Sequence, residues 1–138
     1  MATNTQFAIA AHLMAALAYR QGTDTTSAEL AMSVNTSPSF IRRTLAKLAR
    51  AGLVKTTTGK TGACRLERNP ERISLLDIYK AVDAPRAFAI HAYPDQKACV
   101  VSCRIKQSLS NALQKTQSGM EASLGKINLA EILADMKS

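Results

Sequence analysis

Ser37-Pro38-Ser39-Phe40-Ile41-Arg42-Arg43-Thr44-Leu45-Ala46-Lys47-Leu48-Ala49-Arg50-Ala51-Gly52 is the stretch on which the fold turns. A hydroxyl followed by proline is a helix start. Ser37 can accept an amide proton of the first turn, and Pro38 stands where none is needed. Phe40, Ile41, Leu45 and Leu48 return at helical spacing and make one apolar flank, with Arg42, Arg43, Lys47 and Arg50 mostly on the other. The spacing predicts a basic amphipathic helix over 38–51, stopped by Gly52.

Upstream, Thr26 and Glu29 stand at capping-box spacing, so a short helix begins there and buries Leu30, Ala31 and Val34. Asn35-Thr36-Ser37 is the turn between the two helices, and the set reads as a helix-turn-helix. Before it, Ile9, Leu13 and Leu17, with Phe7, Ala10 and Met14 alongside, predict a helix over 5–20 ended by Gly22, with His12 on its apolar face. Downstream, 53–57 and 63–67 read as short strands around Thr58-Gly59-Lys60-Thr61-Gly62, closed by Asn69-Pro70. A basic hairpin directly after a helix-turn-helix is a wing.

Ser74 caps a further helix over 75–82, ended before Pro85, and the aperiodic stretch 84–98 reads as a linker. From about Cys99 a long helix of about 20 residues carries Val101, Ile105, Leu109, Ala112, Thr116 and Met120 as one narrow stripe. Too little core remains to cover that stripe, so a helix from a second copy is the expected partner. Asn128 caps a last helix over 129–136. The expected class is mainly α with a small β-hairpin wing. It divides into a winged helix-turn-helix domain over 1–83, a linker over 84–98, and a dimerisation helix with a C-terminal helix over 99–138.

The chain has 138 residues, 46% apolar and 20% charged, a globular composition long enough for a core without disulfides. Its 18 Lys and Arg against 10 Asp and Glu give a net charge of +8, which points to a polyanionic partner. Arg42, Arg43, Lys47, Arg50, Lys55, Lys60, Arg65 and Arg68 crowd into 42–68, opposed by Glu67 alone. With 3 Phe, 3 Tyr and no Trp, stacking platforms for single strands are scarce. The most apolar run, 7–18, is too short to span a bilayer and has no basic residue before it, so neither membrane span nor signal peptide is expected. Three cysteines without a secretion signal suit free thiols in a reducing compartment, so a cytoplasmic location is expected. No phosphate loop, carboxylate pair or nucleophile–base set is visible, and no enzyme activity is expected.

The run 37–43 with 45–54, the glycine-bearing wing 59–66 and the segment 73–82 together resemble the Rrf-two family of winged helix-turn-helix regulators, which includes IscR, NsrR and CymR. Phe88-Ala89-Ile90-His91, the Cys99 region and the long helix are most similar to its YwnA-like members without an iron–sulfur cluster. The resemblance covers nearly the whole chain. It implies a homodimeric bacterial transcriptional regulator, usually a repressor, whose long helices pair while third helices and wings grip an operator. Two departures stand out. Family wings commonly read Gly-Gly-Tyr before Arg-Leu, where this chain has Gly62-Ala63-Cys64. Members holding a cluster carry three cysteines near the dimer helix, where this chain has Cys99 and Cys103. A cluster takes up to four ligands, so no iron–sulfur cofactor is expected.

For duplex DNA, Ser37 and Ser39 at the helix start can meet phosphates or bases, and Arg42 and Arg43 are the candidates for reading guanine. Lys47 and Arg50 suit phosphate, while Lys60 and Arg65 of the wing, 55–66, would reach the neighbouring groove or the backbone, with Thr58 and Thr61 as neutral donors. Cys99 and Cys103 are either a redox pair or small packing residues. On a regular helix their Cα atoms would lie about 6 Å apart with parallel Cβ vectors, so a bridge needs local unwinding or the dimer mate. A metal site from His91, Cys99 and Cys103 lacks a fourth ligand, and none is expected. Cys64 is expected to be exposed on the wing. The alternative reading is a winged-helix interaction module acting through a protein partner or a small-molecule effector, with purely structural cysteines. If the hairpin grips DNA, Lys60→Ala lowers affinity across all sequences and flattens the salt dependence, read by titrating DNA at several salt concentrations.

Overall fold

A computed structural model describes residues 4–57 and 62–138. Among them the elements follow as α1 (Gln6–Tyr19), β1 (Thr25–Thr26), α2 (Ser27–Val34), α3 (Pro38–Arg50), β2 (Val54–Thr56), β3 (Ala63–Leu66), a single 3-10 turn (Pro70–Arg72), α4 (Leu75–Ala81), α5 (Val100–Gly125) and α6 (Leu129–Lys137). This is the winged helix-turn-helix architecture, mainly helical, with one small antiparallel sheet. No helix of the described residues is long and apolar enough to cross a membrane.

The core forms around α1. Ala10, Leu13, Met14, Leu17 and Ala18 are buried, and the helix packs against α2, α3, α4, α6 and β3. Leu30, Ile41, Leu48, Leu53, Ile73, Ile78 and Leu129 close on it from those neighbours and the turns between them. Each such side chain is worth roughly 1.5–3 kcal/mol of apolar burial.

The sheet differs from a bare hairpin. Its strand order is β1-β3-β2, with Thr25 opposite Cys64, Thr26 opposite Ala63 and Val54 opposite Leu66. The two-residue β1 was not anticipated, because two residues carry no alternation to read. Thr26 serves twice. It pairs with β3, and its side chain accepts from the Glu29 amide at 3.1 Å while Glu29 reaches back to the Thr26 amide at 3.3 Å. One residue therefore fixes the wing relative to α2.

Beyond α4 the chain runs through 84–98 without helix or strand, then enters α5, which at 26 residues is longer than the apolar stripe alone foretold. After α5 the chain turns back to the head. Ser74 and Asn128 bridge, the Leu75 amide donates to Ile127 at 2.9 Å, and the Leu129 amide donates to Ile73 at 2.8 Å. Asn128 caps α6, as expected, by accepting from the Glu131 amide at 2.9 Å. Leu129→Ala opens a fully buried site at this return and is expected to cost about 2–5 kcal/mol, measured as the change in urea midpoint at constant slope.

Candidate nucleic-acid interface

The helix-turn-helix is fixed locally before packing acts on it. Asn35 adopts a left-handed conformation at φ 68° that ends α2, and the Ser37 hydroxyl accepts from the Phe40 amide at 3.3 Å to start α3. Ile41, Thr44, Leu45 and Leu48 are buried, which sets the rotation of α3 about its axis. The opposite flank is thereby turned outward: Ser37, Ser39, Arg42, Arg43 and Arg50 are exposed and Lys47 is half-buried. Among the described residues none of these four cations forms a salt bridge. The Arg43 guanidinium carbon lies 5.7 Å from the Phe40 ring centroid, a contact that holds the side chain over the start of the helix.

The wing is less free than its sequence suggested. Lys55 stands directly opposite Arg65, and both are exposed. Like charges in that register repel. Asp24 offsets the repulsion, with its Oδ1 at 2.6 Å from Arg65 Nη2 and accepting from Arg65 Nε at 2.8 Å. Arg65 is thus an ion-paired residue at the base of the wing rather than an unengaged cation. Lys55, part of the basic run 42–68 but given no contact role there, is set beside Arg65 by the strand register. Lys60, with Thr58 and Thr61, lies outside the described residues. Arg68 comes within 3.9 Å of Asp77, beside α4.

The three thiols separate into two kinds. Cys64 is 1% exposed, against the expectation of an accessible wing cysteine. It sits in the central strand of the sheet, β3 packs on α1, and its Sγ donates to the Thr25 carbonyl at 3.1 Å. Burial, reinforced by the charges of Asp24 and Glu29, raises its pKa to about 11, so it stays a neutral thiol. Cys99 and Cys103 are both exposed. Cys99 is the N-cap of α5, with extended backbone and its Sγ accepting from the Ser102 amide at 3.4 Å. Cys103 directs its Sγ to the carbonyls of Gln96 at 3.6 Å and Lys97 at 3.8 Å. One thiol thus precedes the helix and the other belongs to its first turns, so the parallel Cβ vectors of two residues on a regular helix do not apply. His91 is exposed, 6.5 Å from the Tyr93 ring.

These donors do not fit an iron centre. Two thiols at the start of α5 are short of the four ligands a cluster takes, the third is buried in the sheet, and no group of three or more His, Cys, Asp or Glu that could hold a metal ion occurs among the described residues.

Against known proteins, the family described as "Rrf2: Iron-dependent Transcriptional regulator" matches residues 3–135. YwnA of Bacillus subtilis, assigned as an HTH-type transcriptional regulator, is 32% identical over 131 residues, covering 94% of this chain and 96% of its own. A crystal structure assigned to a DNA-binding protein superposes with a TM-score of 0.73 at 29% identity, covering 93% of this chain and 98% of the other. CymR, the global cysteine regulator of B. subtilis, shares the fold with a TM-score of 0.69 at 21% identity, covering 97% of each chain.

The contrast among the thiols has a direct readout. In native protein at mildly alkaline pH, a thiol-alkylating reagent followed by mass mapping should label Cys99 and Cys103 rapidly and Cys64 only after denaturation. Fast labelling of native Cys64 would contradict its place in the sheet.

Proposed function

Because the chain belongs to the Rrf2 family of transcriptional regulators, we propose that it acts as a homodimer that binds duplex DNA through α3 and the wing and represses the genes it binds. It is a regulator and not an enzyme. The observation that carries the DNA reading is the flank of α3, where Arg42, Arg43, Lys47 and Arg50 face away from a fully packed opposite side and meet no carboxylate among the described residues. Cations left unpaired along the outer flank of a helix whose other face is immobilised suit the major groove, with the Ser37 and Ser39 hydroxyls at its start near phosphate. Arg42 and Arg43 are the base readers in this proposal. Lys47, Lys60 and Arg65 hold the backbone, Arg65 by exchanging Asp24 for phosphate.

Dimerisation is supported by α5. Val100 and Val101 are 70% and 67% exposed, Leu109, Ala112 and Thr116 are exposed with them, and a second α5 would cover them. In this scheme 1–83 is the DNA-binding head, 84–98 the connection, and 99–138 carries the dimer helix and the return of α6. The proposed action is cytoplasmic, where the DNA lies.

Release from DNA is assigned to Cys99 and Cys103. Their two thiols would give two electrons and two protons to a peroxide, which leaves as water, and a disulfide would form within the chain or across the dimer. Both sulfurs are exposed where the connection meets the dimer helix, so a bridge there would alter how the heads are held.

A gel-shift titration with the DNA upstream of its own gene tests both parts. Arg43→Ala should weaken binding by about 1–3 kcal/mol and relax base preference. The doubly substituted Cys99→Ser, Cys103→Ser protein should stay bound at a peroxide dose that frees the wild type. Equal binding of Arg43→Ala and wild type would remove α3 from the interface and favour an interaction module with a protein partner. Equal release of the serine variant would end the thiol switch.

A further inference from the structure

The carboxylate that engages the wing comes from outside it. Within the basic run 42–68 the sequence offers Glu67 as the sole acid, yet Glu67 forms no salt bridge among the described residues. Asp24, between α1 and β1, closes on Arg65 instead, with its Oδ1 2.6 Å from Nη2 and accepting from Nε at 2.8 Å. One carboxylate oxygen thus takes two donors of the guanidinium fork, which is held toward β1.

Strand register dictates this placement. Thr25 pairs with Cys64 and each is 1% exposed, so the next residue along either strand points to the opposite, solvent face. Continuing the antiparallel register by one residue sets Asp24 beside Arg65, and Lys55 stands opposite Arg65 on its other side. The row across the sheet is therefore anion, cation, cation. Lys55 alone would repel Arg65, so an anion beside Arg65 steadies the row. The pair is nevertheless no permanent lock. Its side chains keep 55% and 39% of their surface in solvent, and an exposed ion pair is worth little. A backbone phosphate, which also takes a guanidinium through two donors, can displace the carboxylate.

We propose that Asp24 is a positioning residue that limits the affinity of this surface for the phosphates of duplex DNA. In the free protein it holds Arg65. In the complex it remains as an anion beside the phosphate backbone, so binding must break the ion pair and then tolerate the carboxylate. The inference rests on the DNA-binding reading above and deepens it, because it makes an acid outside both α3 and the hairpin a determinant of affinity. Phosphate is common to every duplex, so the limit acts on all sequences alike.

The test is a set of fluorescence anisotropy titrations of the full chain against a labelled random duplex, repeated at several salt concentrations. At low salt Asp24→Asn should bind about fivefold tighter than wild type, the upper worth of an exposed ion pair. Its log affinity should also fall more steeply with log salt, by up to about one unit of slope, since Arg65 then neutralises a whole phosphate. The same gain should appear on the DNA upstream of its own gene. Adding Arg65→Gln to Asp24→Asn should remove most of the gain, whereas a carboxylate acting only through net charge would keep it. Should the asparagine variant lose its helical circular dichroism, Asp24→Ser makes the same test. The proposal is overturned if the folded variant binds no tighter than wild type, or if the full gain survives in the Asp24→Asn, Arg65→Gln protein. Arg43→Ala on the upstream DNA tells this failure from that of the DNA reading. A weakened Arg43→Ala beside an unchanged Asp24→Asn removes the role of Asp24 and leaves the interface, while two unchanged variants remove the interface as well.

Discussion

The burial of α1 is the constraint on which the rest of this structure depends. A chain of this length supports one core, and here that core is built on a single helix touched by α2, α3, α4, α6 and β3. Leu13, Met14 and Leu17 are enclosed so completely that the helix has little polar face over its middle turns. Every element that packs on α1 has its rotation fixed by that contact. For α3 this is decisive, since sinking Ile41, Leu45 and Leu48 into the core is the same act as turning Arg42, Arg43 and Arg50 outward. The cationic surface is the remainder of a packing decision.

The same constraint leaves α5 without a core of its own. The helix is held to the head by its other side, chiefly through Gln117, which is buried and makes three contacts. Its Oε1 accepts from the Ala87 amide at 3.0 Å, and its Nε2 donates to the Tyr79 hydroxyl at 3.0 Å and to Glu121 at 3.1 Å. Tyr79 in turn donates to the Pro85 carbonyl at 2.5 Å. A buried amide with its donors and acceptor met sets one geometry between α4, the connection and α5. Farther along, Asp95 pairs with Lys106 at 3.0 Å and the Gln96 amide donates to Ser102 at 2.7 Å. A segment without helix or strand is thereby tied along α5, beside the two exposed thiols. Oxidation there would act on a connection that is already structured.

Environment also sorts residues that composition treats alike. Cys64 and Cys99 are the same side chain, yet one lies in the central strand of a sheet and the other caps a helix in solvent. Arg43 and Arg65 carry the same charge, but Arg43 lies over Phe40 while Arg65 is tied to Asp24. Thr25 shows the converse. Its backbone is well placed, pairing with Cys64, while its hydroxyl faces no partner.

Much of this was written locally. The helix starts at Ser37 and Ser74, the capping box at Thr26 and Glu29, the apolar rows of α1 and α3 and the cap at Asn128 involve residues within a few positions of each other, so spacing alone discloses them. The winged helix-turn-helix and the charge on α3 follow from those local rules. What the sequence could not disclose depends on partners far away along the chain. The third strand needed Thr25 and Thr26 to find Ala63 and Cys64, the burial of Cys64 needed α1 and β1 around it, and the role of Gln117 needed Tyr79 and Ala87. Periodicity reports which face of an element is apolar. Only the tertiary structure decides what covers that face, and so which thiol is sealed, which arginine is engaged and which hydroxyl is left waiting.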